Sequence, residues 1–150
     1  DAERCEMKVN KIDHICMCVK DLAAAQKMWE PILGKDGPDD PYEDAPSKIR
    51  VARYWIGESG FELMEDLDGT GDVAKWIERH GESVNIIGFH VDNTAEAVEE
   101  LKAKGYNFIK FGEYGELIPF RDCYYSFVHP KQTNGILVEL IDYKWEELKK

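Results

Sequence analysis

Three side chains have the type and setting for acid–base or metal chemistry: His14 in "KIDHICMCVKDL", Glu62 in "FELMED" and Glu139 in "GILVELID". Each sits in a short run where polar and apolar residues alternate, the pattern of a β-strand. A strand sends successive side chains to opposite faces. In the first run Ile15, Met17 and Val19 make an apolar row suited to packing under a helix, which leaves His14, Cys16 and Cys18 on the other face. By the same parity Glu62 and Met64 oppose Phe61 and Leu63, and Glu139 opposes Val138 and Leu140. A carboxylate among apolar neighbours is costly to bury unless it is paired or bound to a cation. Two such carboxylates on the same side as a histidine form a nitrogen-and-oxygen set for a divalent metal. The bland alternative is that each glutamate pairs with an arginine, Arg50, Arg53 and Arg121 being available, and that His14 is a satisfied core histidine.

The elements that must position these residues come in two copies. "VNIIGFHVDN", from Val84 to Asn93, repeats "IDHICMCVKD", from Ile12 to Asp21, at a spacing of 72 residues. "VEL" at Val138–Leu140 repeats "FEL" at Phe61–Leu63 at a spacing of 77. Between the paired ends lie "DLAAAQKMWEPILG", with helical spacing of Leu22, Ala25, Met28 or Trp29, and Leu33 and a stop at Gly34, and "NTAEAVEELKAKG", with Asn93 or Thr94 as N-cap and Gly105 as C-cap. "KDGPDDPYEDAPS" reads as a Pro/Asp loop; "KIRVARYWIG" and "GFELMED" read as a hairpin turning at Glu58-Ser59. "DVAKWIERHG" is a short helix, "YNFIKF" a weak strand, "RDCYYSFVH" a stronger one, and "YKWEELKK" a terminal helix. Neither copy can bury its own sheet face well. The expectation is an α+β fold in which two strand–helix–strands modules form one curved sheet with helices on the outside. The domain then spans 7–150, with module one at about 9–81, module two at about 82–142 and the terminal helix at 143–150. Residues 1–6 are set aside as tag or upstream sequence, because Met7 reads as a natural start.

The repeat also raises a difficulty. In the second copy Ile86, Gly88 and His90 take the face that holds His14 in the first, and Ile86 falls where His14 stands. Isoleucine cannot ligate a metal. Three readings follow: a triad of His14, Glu62 and Glu139 with open positions; recruitment of His90, two residues further on and ~7 Å along the strand; or a concavity that binds its ligand without metal.

Bulk properties exclude several classes. The chain has 150 residues, 43% hydrophobic and 33% charged, as expected for one ordinary globular domain. The net charge of −11 argues against nucleic acid, which requires basic stripes. No apolar run approaches the ~20 residues of a membrane span, and the opening residues lack the apolar core of a signal peptide. Of four cysteines none forms a CxxC pair, and they read as reduced thiols in a cytoplasmic protein.

Together "KIDHICMCVKDL", "FELMEDL", "VAKWIERHGES", "FHVDN" and "FVHPKQTNGILVELI" resemble the vicinal oxygen chelate superfamily of glyoxalases, bleomycin-resistance proteins and extradiol dioxygenases, and within it the methylmalonyl-CoA epimerases. The resemblance implies two βαβββ modules forming the one curved sheet, a homodimer and a divalent ion (Co, Mn, Ni or Zn) on four ligands. His14, Glu62 and Glu139 match three of them; the third, a histidine of an "HH" pair, reads Asn85-Ile86 here. It implies removal of an α-proton next to a thioester or carbonyl through a metal-stabilised enolate, with Glu139 or Glu62 moving the proton. The strand from Ile49 to Trp55 carries no acid to match the opposing base of some epimerases. Arg121 in "PFRDC" is a candidate carboxylate or phosphate clamp, and Lys131 in "HPK" a candidate partner for an acyl-CoA phosphate. Tyr125, with Tyr54, Trp55, Phe120 and Tyr124, would wall the substrate beside Ile86, though such aromatics also suit ordinary packing. Two alternatives stay open: a glyoxalase-type lyase, and a resistance-type protein that binds a small molecule over a degenerate metal site.

Overall fold

The computed structural model describes residues 7–143, so most of the expected terminal helix and the set-aside residues 1–6 lie outside the described residues. The fold is α+β, and each repeat has the order strand–helix–three strands. The first runs β1 (Val9–Cys18), α1 (Leu22–Leu33), β2 (Tyr42–Asp44), β3 (Ile49–Ile56) and β4 (Ser59–Asp66). After α2 (Asp72–His80) the second runs β5 (Val84–Val91), α3 (Thr94–Ala103), β6 (Ile118–Phe120), β7 (Cys123–Val128) and β8 (Leu137–Ile141). The chain forms two compact units, residues 14–85 in one and, of the described residues, 7–13 with 86–143 in the other.

In the first unit β1 runs parallel to β4, which pairs antiparallel with β3, and β3 with β2. Val19, Leu22, Ala25, Ala52, Tyr54 and Leu63 form its apolar core, with Met17, Trp29, Leu33 and Phe61 packed against it. Trp29 faces inward, its ring 4.7 Å from that of Phe61, while Met28 is left 67% exposed. The helix starts where the Asp21 carboxylate accepts the Ala24 N–H at 3.1 Å. It ends at Gly34, whose φ of 69° is a left-handed value that suits glycine.

The second unit repeats this. β5 runs parallel to β8, and β8–β7 and β7–β6 are antiparallel. Val91, Ala97, Val98, Phe108, Val128 and Leu140 form the core, with Phe89, Leu101 and Val138 against it. Asn93, 72 residues after Asp21, caps α3 by accepting the Glu96 N–H at 3.0 Å. Strand register carries the same correspondence: Cys16 lies beside Glu62 in the first unit, and Gly88 beside Glu139 in the second.

Local structure departs from the sequence pattern at three places. The Pro/Asp loop contains β2, whose three residues are too few to show a period. The β3–β4 hairpin turns at Gly57-Glu58, one residue before the expected position, with Gly57 at a φ of 61°. "YNFIKF" is not a strand. Within it only Phe108 bridges to Val128, and the second strand of the repeat is Ile118–Phe120 instead. Among the described residues no helix is long and apolar enough to cross a membrane.

The two caps give a direct check on the duplicated architecture. Asp21→Ala and Asn93→Ala should each lower unfolding free energy by about 1 kcal/mol in urea titrations, with no change in slope.

Candidate functional site

The first unit brings His14, Cys16 and Glu62 together. All three are buried, and each offers one potential ligand atom, these atoms lying within 4.8 Å of one another. Strand geometry accounts for this. His14 and Cys16 are two apart on β1 and so share a face, and Glu62 is the direct neighbour of Cys16 across the parallel β1–β4 pair.

Glu62 is held by three donors. Arg53 Nε donates to Oε2 at 2.6 Å, and the Tyr42 hydroxyl and Cys16 thiol donate to Oε1 at 3.1 and 3.4 Å. Arg53 is opposite Glu62 in the β3–β4 register and is as buried as its partner. Its other nitrogens reach the Asp40 carboxylate at 3.1 Å and the Tyr42 hydroxyl at 3.0 Å, and its guanidinium lies 4.6 Å from the Tyr42 ring centroid. Burial works to raise the pKa of Glu62. The charges of Arg53 and then His14, with the hydrogen bonds from Arg53 and Cys16, outweigh it, and the carboxyl titrates below its ordinary 4.5. Burial likewise works against the charge of Arg53, and Glu62, Tyr42 and Asp40 together more than offset it.

The pairing of glutamate with arginine therefore holds for Glu62 and Arg53. Arg53 engages one carboxylate oxygen and leaves the other to the Tyr42 hydroxyl and the Cys16 thiol, so the ion pair does not by itself exclude a ligand role. A nitrogen, a sulfur and an ionised oxygen this close are a donor set that fits a divalent ion. Cys18, two residues beyond Cys16, differs: burial pushes its thiol up to about 12, a value that makes it inert near neutral pH.

The other expected site residues belong to the second unit. Glu139 is buried on β8 between Gly88 of β5 and Phe127 of β7. Ile86 is buried on β5 beside Leu137. The Nδ1 of His90 lies 3.0 Å from the Asn10 side-chain nitrogen, which also donates to Asp92. Tyr125 is buried edge-on to Phe120 and Phe127. Arg121, at a φ of 53°, donates to the Tyr143 hydroxyl and stacks over the rings of Phe120 and Tyr143. Lys131 is exposed in the 3-10 turn Pro130–Gln132.

Asp40 and Tyr42 were not legible as site residues, because they sit in a stretch without periodicity. Cys16 had a signal, its parity with His14, but the parity of a small thiol equally suits a core position. The Arg53–Glu62 pair yields a prediction. Arg53→Met should destabilise the fold by about 3–5 kcal/mol by stranding a buried carboxylate, and Arg53→Met with Glu62→Met should recover most of that loss in chemical denaturation. Because the folded-state pKa of Glu62 is depressed, its contribution is present above pH 4.5 and lost as pH falls below it. The double variant should therefore lose less stability in acid than the wild type.

Residues 13–127 match the model of the Glyoxalase/Bleomycin resistance protein/Dioxygenase superfamily. The chain is 27% identical over 143 residues to the uncharacterized protein YqjC of Bacillus subtilis (strain 168), covering 93% of this chain and 96% of that one. It is 25% identical over 138 residues to the ethylmalonyl-CoA/methylmalonyl-CoA epimerase of Cereibacter sphaeroides, covering 88% and 97%. A Streptomyces coelicolor methylmalonyl-CoA epimerase solved with 2-nitronate-propionyl-CoA superposes with a TM-score of 0.80 at 25% identity, covering 90% and 95%. The duplicated βαβββ order, the strand register and the matched length agree: this chain belongs to the glyoxalase/bleomycin resistance protein/dioxygenase superfamily.

Proposed function

We propose that this protein is an isomerase of the epimerase type, acting on the carbon next to the carbonyl of an acyl thioester such as an acyl-CoA. The observation that carries the reading is the matched placement of two buried carboxylates, Glu62 beside Cys16 on β4 and Glu139 beside Gly88 on β8, in a chain similar over nearly its whole length to methylmalonyl-CoA epimerases. His14 and Glu62 of the first unit would hold a divalent ion, and such an ion supplies Lewis-acid stabilisation of charge on the carbonyl oxygen.

The two carboxylates differ in role. Glu62 is kept ionised by Arg53 and His14, which makes it a weak base and a steady ligand. Glu139 is the residue assigned to take the α-proton and return it. Arg121 and Lys131 are assigned to anionic groups of the substrate, with Tyr125 and Ile86 contributing apolar surface. A second reading, binding without chemistry, draws on one specific observation: the buried residue at position 86 is isoleucine, where the repeat calls for a ligand.

α-Proton exchange separates the two. In D₂O the protein should accelerate exchange at the α-carbon of methylmalonyl-CoA, read by NMR. Glu139→Gln should slow it about 10²–10⁴-fold while substrate still binds. Binding of methylmalonyl-CoA with no exchange in the wild type would support the binding reading.

A further inference from the structure

We infer that Cys16 is a metal ligand of this protein, completing a donor set with His14 and Glu62 inside the first unit. The inference rests on the metal-binding part of the proposed function and not on the reaction. Cys16 Sγ lies 3.4 Å from Glu62 Oε1, and both lie with a ring nitrogen of His14 inside the 4.8 Å group. Sulfur and oxygen bound to one tetrahedral zinc-like ion are about 3.5 Å apart, from bond lengths of about 2.3 and 2.1 Å. The pair is thus already spaced as two ligands of one ion.

The surroundings agree. Arg53 holds Oε2 of Glu62 and fixes the carboxylate plane, the outer-shell role that orients a ligand oxygen. With Cys16 as thiolate, the anions Glu62, Asp40 and Cys16 balance a divalent cation together with Arg53. The thiol proton now directed at Glu62 passes to solvent as the sulfur–metal bond forms. The second unit cannot do the same, because Gly88 stands beside Glu139 where Cys16 stands beside Glu62. The thiolate therefore belongs to the first unit alone and shifts the donor set toward the zinc and cobalt end of the divalent series and away from magnesium or manganese.

Cobalt(II) is the probe. Chelator-stripped protein titrated with Co²⁺ should develop a thiolate-to-cobalt charge-transfer band in the near ultraviolet. Cys16→Ser should lose the band and about 10- to 100-fold or more in Co²⁺ affinity, since outer-shell partners alone are worth that much. Cys18→Ser and Cys123→Ser should keep both. Bound cobalt should also protect Cys16 of the wild type from alkylation, read by mass spectrometry, which needs no folded variant. Cobalt bound without the band, a band that survives in Cys16→Ser, or alkylation of Cys16 at an undiminished rate would overturn the assignment while leaving a metal site in place. No cobalt binding would overturn the assignment and the metal-binding part of the proposed function together. The exchange assay then stands as a separate reading of the reaction.

Discussion

A guanidinium and a carboxylate 2.6 Å apart, both almost wholly out of water, set the arrangement of the first unit. Such a pair recovers its desolvation cost only when the remaining donors and acceptors are also satisfied. Arg53 meets this through Asp40 and Tyr42, and Glu62 through Tyr42 and Cys16. The demand reaches the backbone. The Arg53 carbonyl accepts the N–H groups of Asp39 and Asp40, and the Trp55 N–H donates to the Asp39 carboxylate, so the acidic loop is drawn against β3. A loop rich in proline and aspartate thus acquires a fixed course and a short strand.

The two units share one framework and fill it differently. Caps, strand registers and helix-side cores correspond between the units. The opposite faces do not: His14, Cys16 and Glu62 in one answer to Ile86, Gly88 and Glu139 in the other. Packing constrains the helix-facing rows to apolar side chains that interlock, whereas the opposite row accepts either polar or apolar side chains provided each buried polar group is satisfied. An isoleucine at position 86 is therefore compatible with an unchanged fold. In the first unit the Cys16 thiol is the neighbour of Glu62 on the adjacent strand.

The sequence by itself determined the α+β class, the repeat and the outward and inward rows, because strand parity and helical period are local properties of adjacent residues. It separated Leu63 from Glu62 and Phe89 from Gly88 correctly, it placed the α1 stop at Gly34, and it narrowed the α3 N-cap to Asn93 or Thr94. It failed at β2 and at "YNFIKF": three residues show no period, and whether a strand-like run pairs depends on its neighbours. Only the tertiary structure decided which arginine meets Glu62, since Arg50 is also on β3. Register puts Arg53 opposite Glu62 on the buried face and Arg50 opposite Glu65 in solvent. The structure likewise decided that Asp40 and Tyr42 complete the cluster and that Cys16 is a neighbour of Glu62. Each of these depends on which strands lie side by side, a relation between distant segments that no local pattern encodes.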